Sequence, residues 1–165
     1  MALDILEAFI LTSKGNQYIL VLMDYFTKWP EAIPIPDMEA STVAVELVRG
    51  WISCYGVSMI LYSDQGTNFN SALFTEPCKR LGILKTRTTT LHPESDGMVE
   101  IFNRMILNHL SVFVTRNQID WDRHLPLFLL AYRSAEHEVN RIDSSGNAFW
   151  SNATIALCYS LWATE

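Results

Sequence analysis

Residues 2–35, ALDILEAFILTSKGNQYILVLMDYFTKWPEAIPI, decide the fold. The stretches 2–10 and 17–26 are dense in β-branched, aromatic and aliphatic side chains. The turn-prone Ser13-Lys14-Gly15-Asn16 separates them, which predicts a hairpin. A third strand follows at 29–35, and its Pro30 and Pro34 cannot donate ladder hydrogen bonds, which places it at a sheet edge. Three antiparallel strands therefore open the domain.

Beyond Glu39 the apolar period changes. Ala40, Val43, Ala44, Leu47, Val48, Trp51 and Ile52 fall on one helical face, and Gly56 ends that helix. A short apolar run at 57–62 (VSMILY), a turn-rich 64–71 (DQGTNFNS), a helix through Leu81-Gly82 and a strand at 83–89 (ILKTRTT) come next. Strand, helix, strand in that order implies parallel pairing. Two further helices are expected at about 96–116 and 119–136, with Pro126 a kink or break in the second. The order β-β-β-α-β-α-β-α-α describes an α/β domain whose mixed sheet is covered by helices.

At 165 residues and 49% hydrophobic, the chain has material for one full core. It has no apolar run of the roughly 20 residues that a spanning helix needs, and no signal-peptide pattern opens it. The expectation is a soluble, intracellular protein with no membrane partner. Cys54, Cys78 and Cys158 are too scattered for a disulfide framework or a zinc site and read as buried thiols. A net charge of -6 and a pI near 5.2 argue against a large basic face for nucleic acid, so any such function rests on local chemistry.

Two-ion phosphodiester chemistry requires carboxylates converging from separate elements, because hard cations take oxygen ligands and the two ions sit about 4 Å apart. Asp4 lies in the first strand, Asp64 follows the fourth, and Glu100 opens a helix, with 35 residues between the last two. Asp64 could equally be a turn former, and Glu100 a solvated carboxylate near a helix N-terminus. Asp24, in the second strand, competes for the first position. On the helix of Glu100, Asn103, Arg104 and Leu107 share its face, which sets an amide and a cation beside a metal ligand. An i,i+4 Glu100–Arg104 surface pair is the alternative.

The segments LDILEAF, YILVLMDYFTKWPEAIPI, YSDQGTNF, CKRLGI, TRTTTLHPESDGMVEIFNR and WDRHLPLFLLAYRSA stand in an order that resembles the integrase core of gypsy-like LTR retrotransposons, relatives of retroviral integrases. The resemblance spans residues 3 to about 138. It implies an RNase H-like fold, a five-stranded mixed sheet flanked by helices. It also implies a catalytic, metal-binding triad of Asp4, Asp64 and Glu100 holding two Mg2+ (or Mn2+) ions, and it puts the first Asp in the strand before Asp24. Gln65, Asn68 and the loop Leu91–Gly97, with His92, Ser95, Asp96 and Gly97, would line the DNA side together with Asn103 and Arg104. His92 has no partner at ligand spacing, so loop polarity accounts for it better than metal binding. The partners implied are element ends and target DNA, and a second copy in a homodimer, with no small-molecule cofactor. The activity implied is metal-dependent polynucleotidyl transfer, 3′-end processing and strand transfer, nuclear when acting on DNA, within a larger Pol polyprotein. A catalytically inactive remnant or host-adopted binding module is the alternative reading, and a nuclease of the same fold a third.

Several positions depart from the pattern: Glu7-Ala8 replaces a Gly-Pro pair, Ile101 an Arg, and Leu107 a Lys. Pro77 falls inside an expected helix, at a cost of roughly 3 kcal/mol if truly internal. The expected division is a core at 1–138 and a divergent tail at 139–165. Permitted codons for Asn140 to Leu157, read one base later, spell TGSTPPAMLFGRTLRLPC, which resembles the family's continuation. Trp150 and Trp162 each have one codon and both then become Gly, so the tail reads as a frameshift product.

Overall fold

The computed structural model describes residues 1–7, 9–63, 66–87, 93–113 and 119–134. The expectations for Asp64, Gln65, His92 and the tail from 139 lie outside them. Met1–Ser134 make one compact unit.

Among the described residues the strands are β1 (Ala2–Leu6), β2 (Tyr18–Met23), β3 (Pro30–Ile35), β4 (Ile60–Ser63) and β5 (Leu84–Arg87). They form one mixed sheet in the order β3-β2-β1-β4-β5, with β3 at an edge as its prolines predict. β2 runs antiparallel to β1 and β3, while β4 runs parallel to β1 and β5. The expected strand at 2–10 stops at Leu6. Beyond it some backbone bonds still cross the hairpin, Phe9 N to Gln17 O (3.2 Å) and Thr12 N to Asn16 O (2.9 Å), while Ile10 O accepts from Trp121 Nε1 (2.7 Å) and Ser13 N donates to Ile119 O (3.1 Å), which docks the hairpin turn onto residues 119–121.

The helices are α1 (Ala40–Leu47), a π-helical turn (Val48–Ile52), α2 (Ser53–Tyr55), α3 (Thr67–Asn70), α4 (Ala72–Arg80), α5 (Pro93–Phe113) and α6 (Trp121–Ser134). The unbroken stripe expected from Ala40 to Ile52 is thereby corrected at Val48, while Ile52 still packs against the core. The wider π turn shifts the helical register, leaving Val48 44% exposed while Gly50 and Trp51 are buried. A Cβ on Gly50 would stand 2.3 Å from Ile33 Cδ1, so the missing side chain lets this turn approach β3.

The sheet is buried on both faces, which explains why β2 is apolar without alternation. Leu20 and Leu22 pack with Leu3, Val43, Trp51 and Phe74 on the α1/α4 side. Ile19, Val21 and Met23 pack with Phe102, Ile106, Trp121 and Leu125 on the α5/α6 side.

Pro77 is inside α4 and Pro126 inside α6, and neither ends its helix. A helix interior disfavours Pro by about 3 kcal/mol, partly offset because Pro also restricts the unfolded chain by roughly 0.4–1 kcal/mol. Pro77→Ala is therefore expected to stabilise the fold by about 2–2.6 kcal/mol in denaturant unfolding. A loss of stability would show that the proline fits this helix without strain.

Candidate metal centre

Strand alternation decides where Asp4 points. In β1, Ala2 belongs to the α5/α6 side and Leu3 to the opposite core, so Asp4, two residues from Ala2, faces α5. There Asn103 Nδ2 donates to Asp4 Oδ2 at 2.7 Å, and the Ile5 amide donates to Asp4 Oδ1 at 2.9 Å. The first joins residues 99 apart in the chain, the second adjacent ones, and together they orient a half-buried carboxylate. A carboxylate has about four acceptor sites, so two remain for a cation.

α5 divides the face expected to be shared by Glu100, Asn103 and Arg104. At 100° per residue, Asn103 lies on the core side of Glu100, and Arg104 on the solvent side. Asn103 is buried at 9% exposure, and its Oδ1 has no hydrogen-bond partner. Glu100 and Arg104 are 71% and 67% exposed and paired at 3.0 Å, an i,i+4 contact worth a few tenths of a kcal/mol. Such a pair leaves the Glu100 carboxylate available. An unsatisfied buried amide oxygen beside Asp4, one helical turn from a second carboxylate, is a donor set of hard oxygens that suits a divalent cation.

Ser63, the residue before Asp64, pairs in register with Leu3, the residue before Asp4. Among the described residues no three His, Cys, Asp or Glu side chains gather as a metal-binding group, and Asp64 is not one of those residues. The rival Asp24 is engaged elsewhere. It follows β2, where its Oδ2 accepts from the Thr27 amide and hydroxyl, both at 2.8 Å, and closes the β2–β3 turn.

The expected loop Leu91–Gly97 is corrected from residue 93 onward, since Pro93 to Gly97, including Ser95 and Asp96, form the first turns of α5. The signal was present: Pro at the first helical position with Glu94 and Asp96 close behind is a helix start. The backbone of Asn68 lies in α3. Sequence reasoning missed two polar contacts. Asn16 Nδ2 donates to the buried Asp122 Oδ2 at 3.0 Å, and Lys85 Nζ reaches the end of α3.

The sequence model of a family described as "Integrase core domain" matches residues 1–93. The chain is 29% identical over 129 residues, 78% of its length, to the retrovirus-related Pol polyprotein from transposon 412 of Drosophila melanogaster. It is 34% identical over 160 residues, 92% of its length, to the Gag-Pol polyprotein of Walleye dermal sarcoma virus. It spans only 10% and 9% of those proteins. The crystal structure of the catalytic core domain of BIV integrase superposes with a TM-score of 0.65 at 27% identity, covering 82% of this chain and 84% of that one. The HTLV-2 integrase catalytic core domain in complex with magnesium, in its dimeric form, gives 0.65 at 18% identity, covering 82% and 86%.

Proposed function

The chain belongs to the integrase core domain family of retroelement Pol polyproteins, with an RNase H-like fold, and from that premise we propose that it is a catalytic core for DNA 3′-end processing and strand transfer. The observation that carries this reading is the Asp4–Asn103 contact. It sets one acidic strand residue against the helix of Glu100, while the parallel register pairs Ser63, the residue before Asp64, with Leu3, the residue before Asp4. Asp4, Asp64 and Glu100 would hold two Mg2+ or Mn2+ ions. Bound there, such ions supply charge stabilisation to the attacking and leaving oxygens of an in-line displacement. The Ile5 amide and Asn103 hold Asp4 in one orientation, and Glu100 would have to give up its exposed pair with Arg104, worth a few tenths of a kcal/mol, to join it. No covalent enzyme intermediate is needed. DNA ends, a target duplex, a second copy of the chain and action in the nucleus belong to the same proposal.

A second reading, a remnant or adopted binding module, is favoured by one observation. Ile101 and Leu107, where the resembling family carries Arg and Lys, are exposed apolar side chains on α5. Phosphate contacts supply most of the affinity for DNA, so this face is weakened for it.

A Mg2+- or Mn2+-dependent strand-transfer assay with the native element ends separates the two readings. Calorimetry gives an independent test of the site. Divalent ions at about a hundred times their Kd should stabilise the wild type by roughly 2.7 kcal/mol, and Asp64→Asn by far less. Equal stabilisation of both would show that the carboxylates do not form one site.

A further inference from the structure

We propose that Lys85 is a positioning residue for this centre, clamping from β5 the short turn that follows Asp64 and Gln65 in the chain. Its Nζ donates to Phe69 O at 2.5 Å and to Asn70 Oδ1 at 3.1 Å, two acceptors on consecutive residues at the C-terminal end of α3. The ammonium also stands 6.0 Å from the centroid of the Phe74 ring.

The clamp is needed because α3 cannot hold itself. It has four residues and no side-chain N-cap, and a single turn is far below the length at which a helix is stable alone. It does not run on into α4, since Ser71 is extended (ψ 151°) and its carbonyl starts the next helix by accepting from Phe74 N and Thr75 N. The last carbonyls of α3 therefore need an outside donor, and a cation at a helix C-terminus is the favoured one. On the other side Phe69 is buried and packs edge-on against Phe74 at 5.7 Å. The turn is thus held between a core aromatic and a lysine whose strand pairs with β4, the strand that leads into Asp64. Lys85 itself is in register with Leu61, two residues before Ser63.

This inference rests on reading Asp64 as a metal ligand. Groups that orient ligands typically change metal affinity by 10–100-fold when removed. The test is thermal unfolding of the full chain across a titration of Mn2+ alone, for wild type, Lys85→Met, Lys85→Arg and Asp64→Asn. Lys85→Met should raise the half-saturating Mn2+ concentration at least about tenfold, and Lys85→Arg, which keeps a cation, by less than about threefold. A lysine that serves stability alone would lower the metal-free midpoint and leave the half-saturating concentration unchanged. That result, in a wild type that responds to Mn2+, overturns this proposal only. A wild type that does not respond, or an Asp64→Asn that responds equally, overturns the metal-centre reading and this proposal with it. Should Lys85→Met fail to fold, Asn70→Ala removes the Asn70 Oδ1 acceptor at an exposed position. It should raise the half-saturating concentration about threefold, and no change would overturn the clamp.

Discussion

Asp4→Asn is expected to lower the strand-transfer rate at least about a thousandfold, roughly 4 kcal/mol of lost transition-state stabilisation, while leaving the fold nearly intact. The two effects separate because of what surrounds the side chain. The Ile5 amide can still donate to the remaining side-chain oxygen. The substituted amide brings a donor against Asn103, whose Oδ1 lacks a partner, so a flip of the Asn103 amide converts the contact from donation to acceptance. Stability should therefore change by under about 1 kcal/mol, since the flip exchanges one unpaired Asn103 atom for the other and leaves their number unchanged. The charge, however, is gone, and an amide does not replace a carboxylate shared between two cations. Asn103→Ala leaves the carboxylate and removes only its orientation, so a smaller loss of about 10–100-fold is expected. Single-turnover strand transfer, measured beside thermal unfolding, checks both. An Asp4→Asn protein within tenfold of wild type would remove Asp4 from the chemistry.

The largest stability effect is expected at Arg133. Its guanidinium donates to Glu31 Oε1 at 2.5 Å and to Pro30 O at 2.6 Å, and lies 4.5 Å from the Trp29 ring centroid. Tyr55 also donates to Glu31 Oε1 (2.6 Å) and accepts from Trp29 Nε1 (3.1 Å). Burial first, and the Glu31 charge second, hold the Tyr55 hydroxyl above its ordinary pKa, so it is a donor at neutral pH. With the Arg133 and Glu31 side chains only 7% and 15% exposed, solvent cannot compensate either charge once its partner is lost. Arg133→Ala or Glu31→Ala should each cost about 3–5 kcal/mol, whereas replacing both together, Arg133→Met with Glu31→Leu, should cost far less. Urea unfolding of the two single variants and the double one decides this. A single variant within about 1 kcal/mol of wild type would show the pair to be effectively solvated. The cluster fastens α6 and α2 to the edge strand β3, and α6 in turn packs against α5, which carries Asn103 and Glu100. A loss here should loosen the site without touching it.

Much of this architecture was legible because its signals are local. Pro30 and Pro34 announced an edge strand, Gly56 and Gly82 mark the ends of α2 and α4 with φ of 84° and 72°, and the strand–helix–strand order required parallel pairing. The π turn was not legible. A 3.6-residue stripe can be drawn through Val48, and only the approach of Gly50 to Ile33 rewards turning Val48 outward.

The sequence by itself determined the family of folds, the elements that carry Asp4 and Glu100 and the strand that precedes Asp64, because apolar periodicity, turn residues and motif spacing are properties of a few consecutive residues. Only the tertiary structure decided that Asn103 turns inward to hold Asp4 while Arg104 stays outside with Glu100, that Asp24 closes a turn, and that Lys85 caps α3. It alone brought together Asn16 with Asp122 and Glu31 with Arg133. The physical reason is the same in each case. A polar side chain is placed by whichever partner the packed core brings within about 3 Å, and that partner lies across the sheet or on another helix, where no local period records it.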